Sequence, residues 1–311
     1  MTALTDVASY LPAQRVPIED LAGPLGLTAM QVRVFRRYHG LAEVCRDDGT
    51  LLDLLLAATA RLDALPGNEQ RVRYVLYARG IPVVAPYPAN PLHELCQALG
   101  LGHATAFTVT HQACAAGLLA VDLAGRLLAA DGDPDARALV VTGEKAFTPV
   151  AQLVPETSFF AEGSAAALVA AAGPRDRLLA YACRTRGEYD GEPGQRRDLA
   201  AQFQQDFPRT LAEVVTAAAG AAGLALDDIA LILPHNVNKV SWRLFCKATG
   251  YPVERVLLAN VPTAGHCFCA DPFINHQTAV AEGLLRPGDR YLAGAAGAGP
   301  GATFSAMVFE H

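Results

Sequence analysis

Several features that define other protein classes are missing from this sequence. The seven cysteines are an odd number without framework spacing, which argues against a disulfide-stabilised secreted scaffold and favours a reducing compartment. Acidic residues outnumber lysine and arginine, and the net charge of −6 argues against a general nucleic-acid binder. No second Cys/His pair accompanies Cys267 and Cys269 at zinc-site spacing, so we expect no bound metal.

Signals for membranes and export are also missing. No apolar run approaches the roughly 20 residues that cross a bilayer. The first residues, MTALTDVASYLPAQR, lack the basic and apolar regions of a signal peptide. We therefore expect a cytoplasmic protein that does not bind membranes. With 311 residues, 51% of them hydrophobic, the chain can bury a large core as one double-sized domain or two similar ones.

The stretch around Cys114 is the most informative part of the sequence. A short β-prone run ends at Val109, and an apolar segment with helical composition follows the cysteine. The predicted position is the N-terminus of a buried helix, where free N–H groups and the helix dipole favour an anion. A thiolate is the form of cysteine that attacks thioesters. A small buried cysteine used as a hydrophobe is the alternative interpretation.

The two halves of the chain share one plan of alternating helices and strands. This pattern predicts an α/β fold with an intramolecular duplication, residues 1–173 carrying the nucleophile and residues 174–311 carrying the candidate histidines. In this register Cys114 faces His266. Predicted helices are Ile18–Leu25, Thr28–Tyr38, Leu51–Leu65, Leu92–Leu99, Phe207–Ala222 and Asn238–Thr249. Predicted strands are Arg71–Tyr77, Ala138–Thr142, Ile229–Leu233, Val256–Ala259, Tyr291–Gly294 and Thr303–Phe309, and Arg184–Arg197 is predicted to be a flexible excursion.

The sequence resembles the thiolase-fold condensing enzymes, and most of all the β-ketoacyl-acyl-carrier-protein synthase III group. The motifs QACAAGL, EGSAAALV and LPHNVN and the closing Gly-rich loop carry the resemblance over nearly the whole chain. It implies a thiolase-like fold in a layered α-β-α-β-α arrangement, and a homodimer. It also implies that Cys114 is the nucleophile, that His235 is a catalytic histidine and that Asn238 supports it.

The third catalytic position departs from this group. Synthase III enzymes carry Gly-Asn where this chain has Gly265-His266, the Gly-His of elongating ketoacyl synthases. The lysine that accompanies that histidine in elongating enzymes is Val261 here. The Trp and Arg that sandwich the adenine of coenzyme A in relatives fall near Val34 and Pro155. Compared with this group, the chain thus lacks the adenine-binding pair, which favours an acyl carrier protein over coenzyme A as the thioester donor. The resemblance implies no bound cofactor.

A Cys-His-His site has a coherent chemistry. Cys114 takes an acyl group from a thioester. Its backbone N–H and one from the loop 297–301, with Gly299 as the candidate, form an oxyanion hole. If a malonyl thioester follows, His235 and His266 as N–H donors stabilise the enolate that decarboxylation leaves.

Other polar residues near these motifs have plainer interpretations. His111 is predicted to shape the pocket rim. Asp271 and Asn275 follow His266 and can orient it, although a helix cap or a solvated face is the simpler interpretation. Glu144, at a strand end, is a minor candidate. The six cysteines other than Cys114 are interpreted as packing residues.

A basic stripe follows His235. Lys239, Arg243 and Lys247 recur every four residues and share one helix face. A solvated face is one interpretation. Binding of an acidic acyl carrier protein is the other, because the stripe is basic, stands out on an acidic protein and lies beside the presumed entrance of the site.

The resulting hypothesis is decarboxylative Claisen condensation of the Cys114 acyl group with a malonyl-type thioester, in fatty-acid or polyketide-type biosynthesis. The nearest alternative is an acyltransferase of the same fold that moves the acyl group to a hydroxyl or amine. A non-catalytic partner subunit is disfavoured because Cys114 and both histidines are present. A degradative thiolase is disfavoured because Cys267 and Cys269 lie only near the place of its second cysteine.

Overall fold

The computed structural model describes residues 1–189, 197–297 and 302–311. The strands are β1 Ala3–Tyr10, β2 Arg15–Pro17, β3 Glu43–Cys45, β4 Val72–Ala78, β5 Thr105–Val109, β6 Arg137–Gly143, β7 Leu153–Val154, β8 Ser158–Phe159, β9 Ser164–Ala170, β10 Arg177–Arg186, β11 Leu231–Pro234, β12 Arg290–Gly297 and β13 Ala302–Glu310. The α-helices are α1 Ala29–Val34, α2 Leu51–Thr59, α3 Pro91–Ala98, α4 Ala116–Asp131, α5 Arg197–Ala221, α6 Lys239–Thr249, α7 Val261–Ala264 and α8 Asp271–Ala281. A π-helical turn, Phe35–His39, extends α1, and short 3-10 turns occupy Glu69–Arg71, Ala113–Ala115, Gly187–Tyr189, Leu226–Asp228, Val253–Arg255 and Phe268–Ala270.

The strand order confirms the α/β thiolase-like fold. The order is β11-β12-β13-β10-β1-β9-β6-β4-β5, and the two central strands β10 and β1 are joined by a single residue pair, Ala3 with Arg177. On one side β4 runs parallel to β6, and β9 and β1 follow antiparallel. On the other side β11, β12, β13 and β10 repeat that pattern. The boundary predicted at 173/174 falls between β9 and β10.

Helices cover both faces of each half of the sheet. α2 and α3 pack outside the first half, α5 and α6 pack outside the second, and α4 and α8 lie between the two. Three clusters of buried apolar side chains match these three helix layers. The order of layers is α-β-α-β-α, as the sequence predicts.

The central helix α4 is buried because its residues are small and apolar. Its buried residues include five of alanine or glycine type: Ala116, Gly117, Ala120, Ala124 and Gly125. Together with the preceding turn, Ala113–Asp131 has the length and hydropathy of a membrane span, which differs from the expectation that no such run exists. About half of that window, 56%, is buried inside the protein, as in the core helix of a globular fold.

Two predicted elements are absent from the described part of the chain. Residues 18–25 form turns rather than a helix, since Pro24 cannot donate a backbone hydrogen bond and Gly23 disfavours helix. Val256–Ala259 is not a strand. Val256 makes only an isolated bridge to Ile232, because the chain turns into α7 a few residues later. This short segment lies where the duplication would place a counterpart of β5.

Three other predictions differ from the structure in their boundaries. The first outer helix α2 ends at Thr59, six residues before the predicted end, and turns lead to Leu65. α5 begins at Arg197 and retains Pro208 inside the helix. Of the predicted excursion Arg184–Arg197, the first residues continue β10 and Gly187–Tyr189 forms a 3-10 turn. Residues 190–196 lie outside the described residues.

The contact between α4 and the segment that leads into α8 depends on Gly117. A Cβ on Gly117 would lie 2.9 Å from the backbone oxygen of Cys269 and 3.1 Å from the Phe273 ring. We expect Gly117→Ala to destabilise the protein by about 1–3 kcal/mol, the usual cost of overpacking, despite a better helix propensity. Urea unfolding followed by circular dichroism measures this.

Gly220→Ala is the matched control. Gly220 also lies inside a helix, α5, but a Cβ there meets nothing within 4 Å. This variant should be as stable as the parent or gain up to about 1 kcal/mol. Equal stabilities for the two variants would show that α4 does not need a glycine at this crossing.

Candidate active site

Cys114 lies where the sequence predicts it, just after a strand and at the start of the central helix. β5 ends at Val109, the 3-10 turn Ala113–Ala115 follows, and α4 begins at Ala116. Ala113 has φ 46°, a left-handed conformation that costs a non-glycine residue about 1–2 kcal/mol. This sharp turn sets the Cys114 side chain at the seam between the two halves, where it is 6% exposed.

His266 meets Cys114 from the second half of the chain. Its Nε2 lies 3.2 Å from Cys114 Sγ. Its backbone N–H donates to Phe159 O (3.1 Å) and its carbonyl accepts from Ala161 N–H (2.8 Å), so the residue is anchored to the end of β8. Gly265 precedes it with φ 76°, and a Cβ there would meet Val44 at 2.9 Å, which explains the glycine of the Gly-His pair.

Asp271 orients His266. The first residue of α8, it is fully buried, and its Oδ2 lies 2.5 Å from His266 Nδ1. The backbone N–H groups of Asn236 and Cys267 donate to the same carboxylate at 2.6 Å and 2.8 Å. The simpler interpretation of Asp271 as part of a solvated face is therefore wrong.

Asn275, the other residue considered for orienting His266, serves a neighbouring network. Its Nδ2 donates to Pro234 O at 2.7 Å and to Asn236 Oδ1 at 2.9 Å. Its Oδ1 accepts from Asn260 Nδ2 at 2.8 Å. Asn275 is fully buried, so it too does not lie on a solvated face, and it fixes the loop after β11 rather than the imidazole of His266.

The charge state of His266 depends on both neighbours. Burial on its own would lower the pKa of His266, but the negative charges of the Cys114 thiolate and the Asp271 carboxylate, with their hydrogen bonds, raise it to about 10. His266 is thus cationic while Cys114 is a thiolate. When His266 is neutral, Asp271 holds the proton on Nδ1, and the lone pair of Nε2 faces the sulfur. Neutral His266 is therefore a base toward Cys114, rather than the N–H donor that the sequence predicts.

His235 lies beside this pair and has a different character. It follows β11, its backbone N–H donates to Gly294 O (2.8 Å), and its carbonyl accepts from Trp242 Nε1 (3.0 Å). Its ring centroid is 5.8 Å from that of His266. Burial, with the positive charge of His266 next, lowers the pKa of His235 to about 3, so the ring is neutral. Its Nδ1 is buried without a hydrogen-bond partner among the described residues.

Asn238 holds the segment that carries His235. Its side chain caps α6 by accepting from Ser241 N–H at 2.8 Å, and its Nδ2 donates to Thr157 O at 3.1 Å. Asn238 therefore ties the loop after β11 to the loop between β7 and β8. It supports the site through the backbone.

Gly297 lies on the predicted oxyanion side of the site. Gly299 lies outside the described residues. Gly297, at the end of β12, approaches the turn of Cys114 closely, since a Cβ there would lie 2.3 Å from Gln112 O and 3.0 Å from the backbone nitrogen of Cys114. No side chain fits between β12 and the turn that carries Cys114.

Glu144 is more prominent than the sequence suggests. It is fully buried at the end of β6, and its carboxylate accepts from the N–H groups of Gly80 (2.7 Å) and Ile81 (2.6 Å). Burial raises the pKa of Glu144 to about 7, although both donors oppose that shift. A Cβ on Gly80 would lie 3.5 Å from Cys114 N, so Glu144 fixes the loop behind Cys114. The sequence signal was only its place at a strand end.

The cysteines near His266 are packed thiols. Cys269 Sγ donates to Ala113 O at 3.2 Å. Burial raises the pKa of Cys267 and of Cys269 well above the usual range, so both stay protonated. In the repeated plan, the turn Phe268–Ala270 before α8 matches Ala113–Ala115 before α4. The equivalent of Cys114 is therefore Cys269, and the predicted register that sets Cys114 opposite His266 is wrong, although the two side chains do meet in space.

The remaining predicted residues lie at the surface. His111 is exposed, and its Nδ1 contacts Thr110 Oγ1 at 2.9 Å. Arg243 and Lys247 are exposed on α6, whereas Lys239 is half-buried against Gly40. Val34 and Pro155, at the places of the adenine-binding pair, are both exposed.

Comparison with known proteins identifies relatives of the chain. The family model described as 3-oxoacyl-[acyl-carrier-protein (ACP)] synthase III C terminal matches residues 219–311. The β-ketoacyl-[acyl-carrier-protein] synthase III of Rhodobacter capsulatus is 26% identical over 94% of this chain and 94% of that protein. The enzyme of the same name from Rhizorhabdus wittichii is 28% identical over 65% of this chain, and the match spans 66% of that protein.

Solved structures show the same fold over the full length. The 3-oxoacyl-[acyl-carrier-protein] synthase III of Aquifex aeolicus superposes with a TM-score of 0.84 at 18% identity, covering 100% of both chains. ChlB3, named as an acyltransferase, superposes with a TM-score of 0.84 at 22% identity, covering 99% of this chain and 97% of that one. The chain has the thiolase fold and is similar to the β-ketoacyl-acyl-carrier-protein synthase III group.

Proposed function

We propose that this protein is an acyltransferase that takes an acyl group from a thioester onto Cys114 and passes it to a hydroxyl or amine. One observation carries the proposal: the side chains of Cys114, His266 and Asp271 contact one another in sequence. Cys114 Sγ lies 3.2 Å from His266 Nε2, and His266 Nδ1 lies 2.5 Å from Asp271 Oδ2. A nucleophile, a base and a carboxylate that orients the base are the parts of a hydrolase-type triad. Such a triad activates an O–H or N–H nucleophile.

In the loading step the Cys114 thiolate attacks the thioester carbonyl. The C–S bond to the donor breaks, and the departing thiolate takes the proton from His266 Nε2. The backbone N–H of Cys114 is our candidate donor to the oxyanion, and Gly299 is the predicted second. The products are acyl-Cys114, a free donor thiol and a neutral His266.

In the transfer step neutral His266 acts as a general base. Acylation removes the thiolate charge that helped to raise the pKa of His266. Nε2 then takes the proton of the acceptor hydroxyl or amine as that group attacks the acyl carbonyl. The C–S bond to Cys114 breaks and the imidazolium–thiolate pair returns. In this scheme His235 stays neutral and gives one N–H donor beside the reacting carbonyl.

Condensation is a second candidate because two imidazoles stand beside one thiol, with ring centroids 5.8 Å apart. A malonyl-type thioester that loses carbon dioxide leaves an enolate, which both rings would have to stabilise as N–H donors. His235 can donate when neutral. His266 can donate from Nε2 only as an imidazolium, and that state requires the negative charge of Asp271 to remain its partner.

The donor that we propose is an acyl thioester carried by an acyl carrier protein, with no bound cofactor. Three observations support this proposal: the relatives named for the acyl carrier protein, the exposed Val34 and Pro155 at the adenine-binding places, and the exposed cations of α6. A homodimer and a cytoplasmic location stay predictions from the sequence.

Product analysis separates acyl transfer from condensation. The protein is acylated at Cys114, freed of donor and mixed in parallel with a panel of alcohols and amines or with malonyl thioesters. We expect ester or amide formation without release of carbon dioxide, because neutral His266 is oriented as a base. Intact mass checks that Cys114→Ala does not load.

The opposite result decides for the second candidate. Carbon dioxide release coupled to a β-ketoacyl product, with no transfer to any alcohol or amine, would show that the site condenses. His266→Asn should then keep part of the activity, since an amide can donate a hydrogen bond. In the acyltransferase it should lose transfer, because an amide is not a base.

Asp271→Asn tests the orienting carboxylate. We expect acyl transfer to fall on the order of 10⁴-fold, as for the aspartate of Ser-His-Asp triads, because an amide can stabilise the wrong tautomer and carries no charge. Asp122→Asn, a matched change in an ion pair with Arg126 on α4, should leave transfer unchanged.

The same substitution also changes the titration of His266. In a Cys114→Ala background, Asp271→Asn should lower the pKa of His266 measured by NMR, because the carboxylate raises that pKa. An unchanged pKa together with unchanged transfer would remove Asp271 from the proposal.

The carrier-binding stripe gives a further test. Lys239 is half-buried, so the test uses Arg243→Glu with Lys247→Glu, the exposed pair. Transfer from an acyl carrier protein should fall by at least about tenfold, while transfer from a small thioester should not change, since charge reversal repels an acidic partner.

Arg71→Glu with Arg73→Glu is the control pair. Both residues are exposed at the start of β4, the end of that strand opposite to Gly80 and the nucleophile. A similar loss for both pairs, or equal loss with both donors, would show that the α6 stripe is not a carrier-binding surface.

A further inference from the structure

A second cluster of metal-ligating side chains lies away from Cys114. Asp176 precedes β10, His276 lies on α8 and His311 is the last residue, after β13. One ligand atom from each lies within 4.8 Å of the others. These residues are far apart in sequence, so zinc-site spacing cannot reveal them. Their meeting differs from the expectation of no metal, which rested on that spacing.

His276 is the unusual member of the cluster. It is 5% exposed, and both ring nitrogens are buried without a hydrogen-bond partner in the described part of the chain. Its Nε2 lies 3.4 Å from Asp176 Oδ1. Burying a polar atom without a partner costs roughly 1–3 kcal/mol of folding free energy. A ligand that binds this imidazole would offset that cost.

The other two members are held firmly. Asp176 is 3% exposed, and its Oδ1 accepts from Tyr291 Oη at 3.0 Å and from His311 Nδ1 at 2.7 Å. The backbone of His311 is fixed at both ends, because its N–H donates to Asp289 O (2.9 Å) and its carbonyl accepts from Gly288 N–H (2.8 Å). Asp176 and His311 are therefore oriented before any ion arrives.

We propose that Asp176, His276 and His311 bind a divalent cation of the zinc class. Two imidazole nitrogens and one carboxylate are donors that zinc accepts, at about 2.0–2.2 Å each. Tetrahedral ligands at that distance lie roughly 3.3 Å apart. The Asp176–His276 pair already has that separation, at 3.4 Å. The hydrogen bond between Asp176 and His311 opens slightly to admit the ion.

The surroundings suit a hydrated fourth position. A polar pocket reaches the cluster and is lined also by Asp6, Arg61, Asp63, Arg175 and Gln277. Water from this pocket can complete the tetrahedron. The Tyr291 hydroxyl donates to the same carboxylate oxygen of Asp176, in the manner of residues that support metal ligands.

The ion would tie three segments together. These are the turn before β10, helix α8 and the end of the chain. α8 begins at Asp271, five residues before His276, so the same helix carries the carboxylate that orients His266. We expect zinc to raise thermal stability, with no part in the bond-making steps at Cys114.

Zinc titration tests the proposal. Metal-stripped protein without an affinity tag is titrated with zinc sulfate by calorimetry in a Cys114→Ala, Cys183→Ser background, so that neither the thiol beside His266 nor the exposed thiol competes. We expect one equivalent to bind and the melting temperature to rise. His276→Gln and His311→Gln should each weaken binding by at least about tenfold. His103→Gln, at an exposed histidine elsewhere, is the control and should bind as the parent does.

Two results would overturn the proposal. One is a parent that shows no saturable zinc binding, which would make the cluster a hydrogen-bonded group around Asp176. The other is equal binding by all the variants, which would place the ion elsewhere. If His276→Gln does not fold, His311→Gln and the parent titration decide, because His311 lies at the edge of the fold.

Discussion

The site depends on one buried carboxylate. Isolated in the protein interior, the charge of Asp271 would be very unfavourable, and it is tolerated because donors surround it. The donors are the backbone N–H groups of Asn236 and Cys267 and the ring of His266. They come from the end of β11 and from the Gly-His loop, while Asp271 starts α8. Satisfying this carboxylate therefore fixes the relative positions of three segments and aims His266 at the sulfur.

The repeat of the fold explains why the site lies at the interface between the two halves. It does not explain why the two equivalent cysteines differ in their surroundings. Each half brings a tight turn with a left-handed residue, Ala113 or Phe268, to the start of a central helix. The two equivalent cysteines then differ in their surroundings. Cys114 faces an imidazole, whereas Cys269 donates to a carbonyl and stays a protonated thiol. The same backbone repeat thus gives one thiol that faces an imidazole and one packing thiol.

The sequence predicted the parts of the fold that depend on local pattern. The buried helix after Cys114 and the Gly-His pair both follow from residue types in short segments. What it could not predict depends on distant contacts. The sequence offers Asp271 both as an orienting group for His266 and as a helix cap. Only folding, which brings the backbone N–H of Asn236 to the same carboxylate from 35 residues away, shows the orienting role. Glu144 likewise meets Gly80 across 64 residues. Val256–Ala259 has strand composition, yet only one bridge forms there.

The order of charges around His266 favours acyl transfer over condensation. While Cys114 is a thiolate, His266 has two anionic neighbours and holds its proton. Acylation removes one of these charges, and burial, which favours the neutral ring, then opposes Asp271 alone. A group that must first give a proton to a leaving thiol and then take one from an acceptor needs such a change between steps. Enolate stabilisation needs the reverse, a donor that keeps its proton after Cys114 is acylated. The contacts of His266 with Cys114 and Asp271 allow this change in its protonation, whereas His235 stays neutral in both steps.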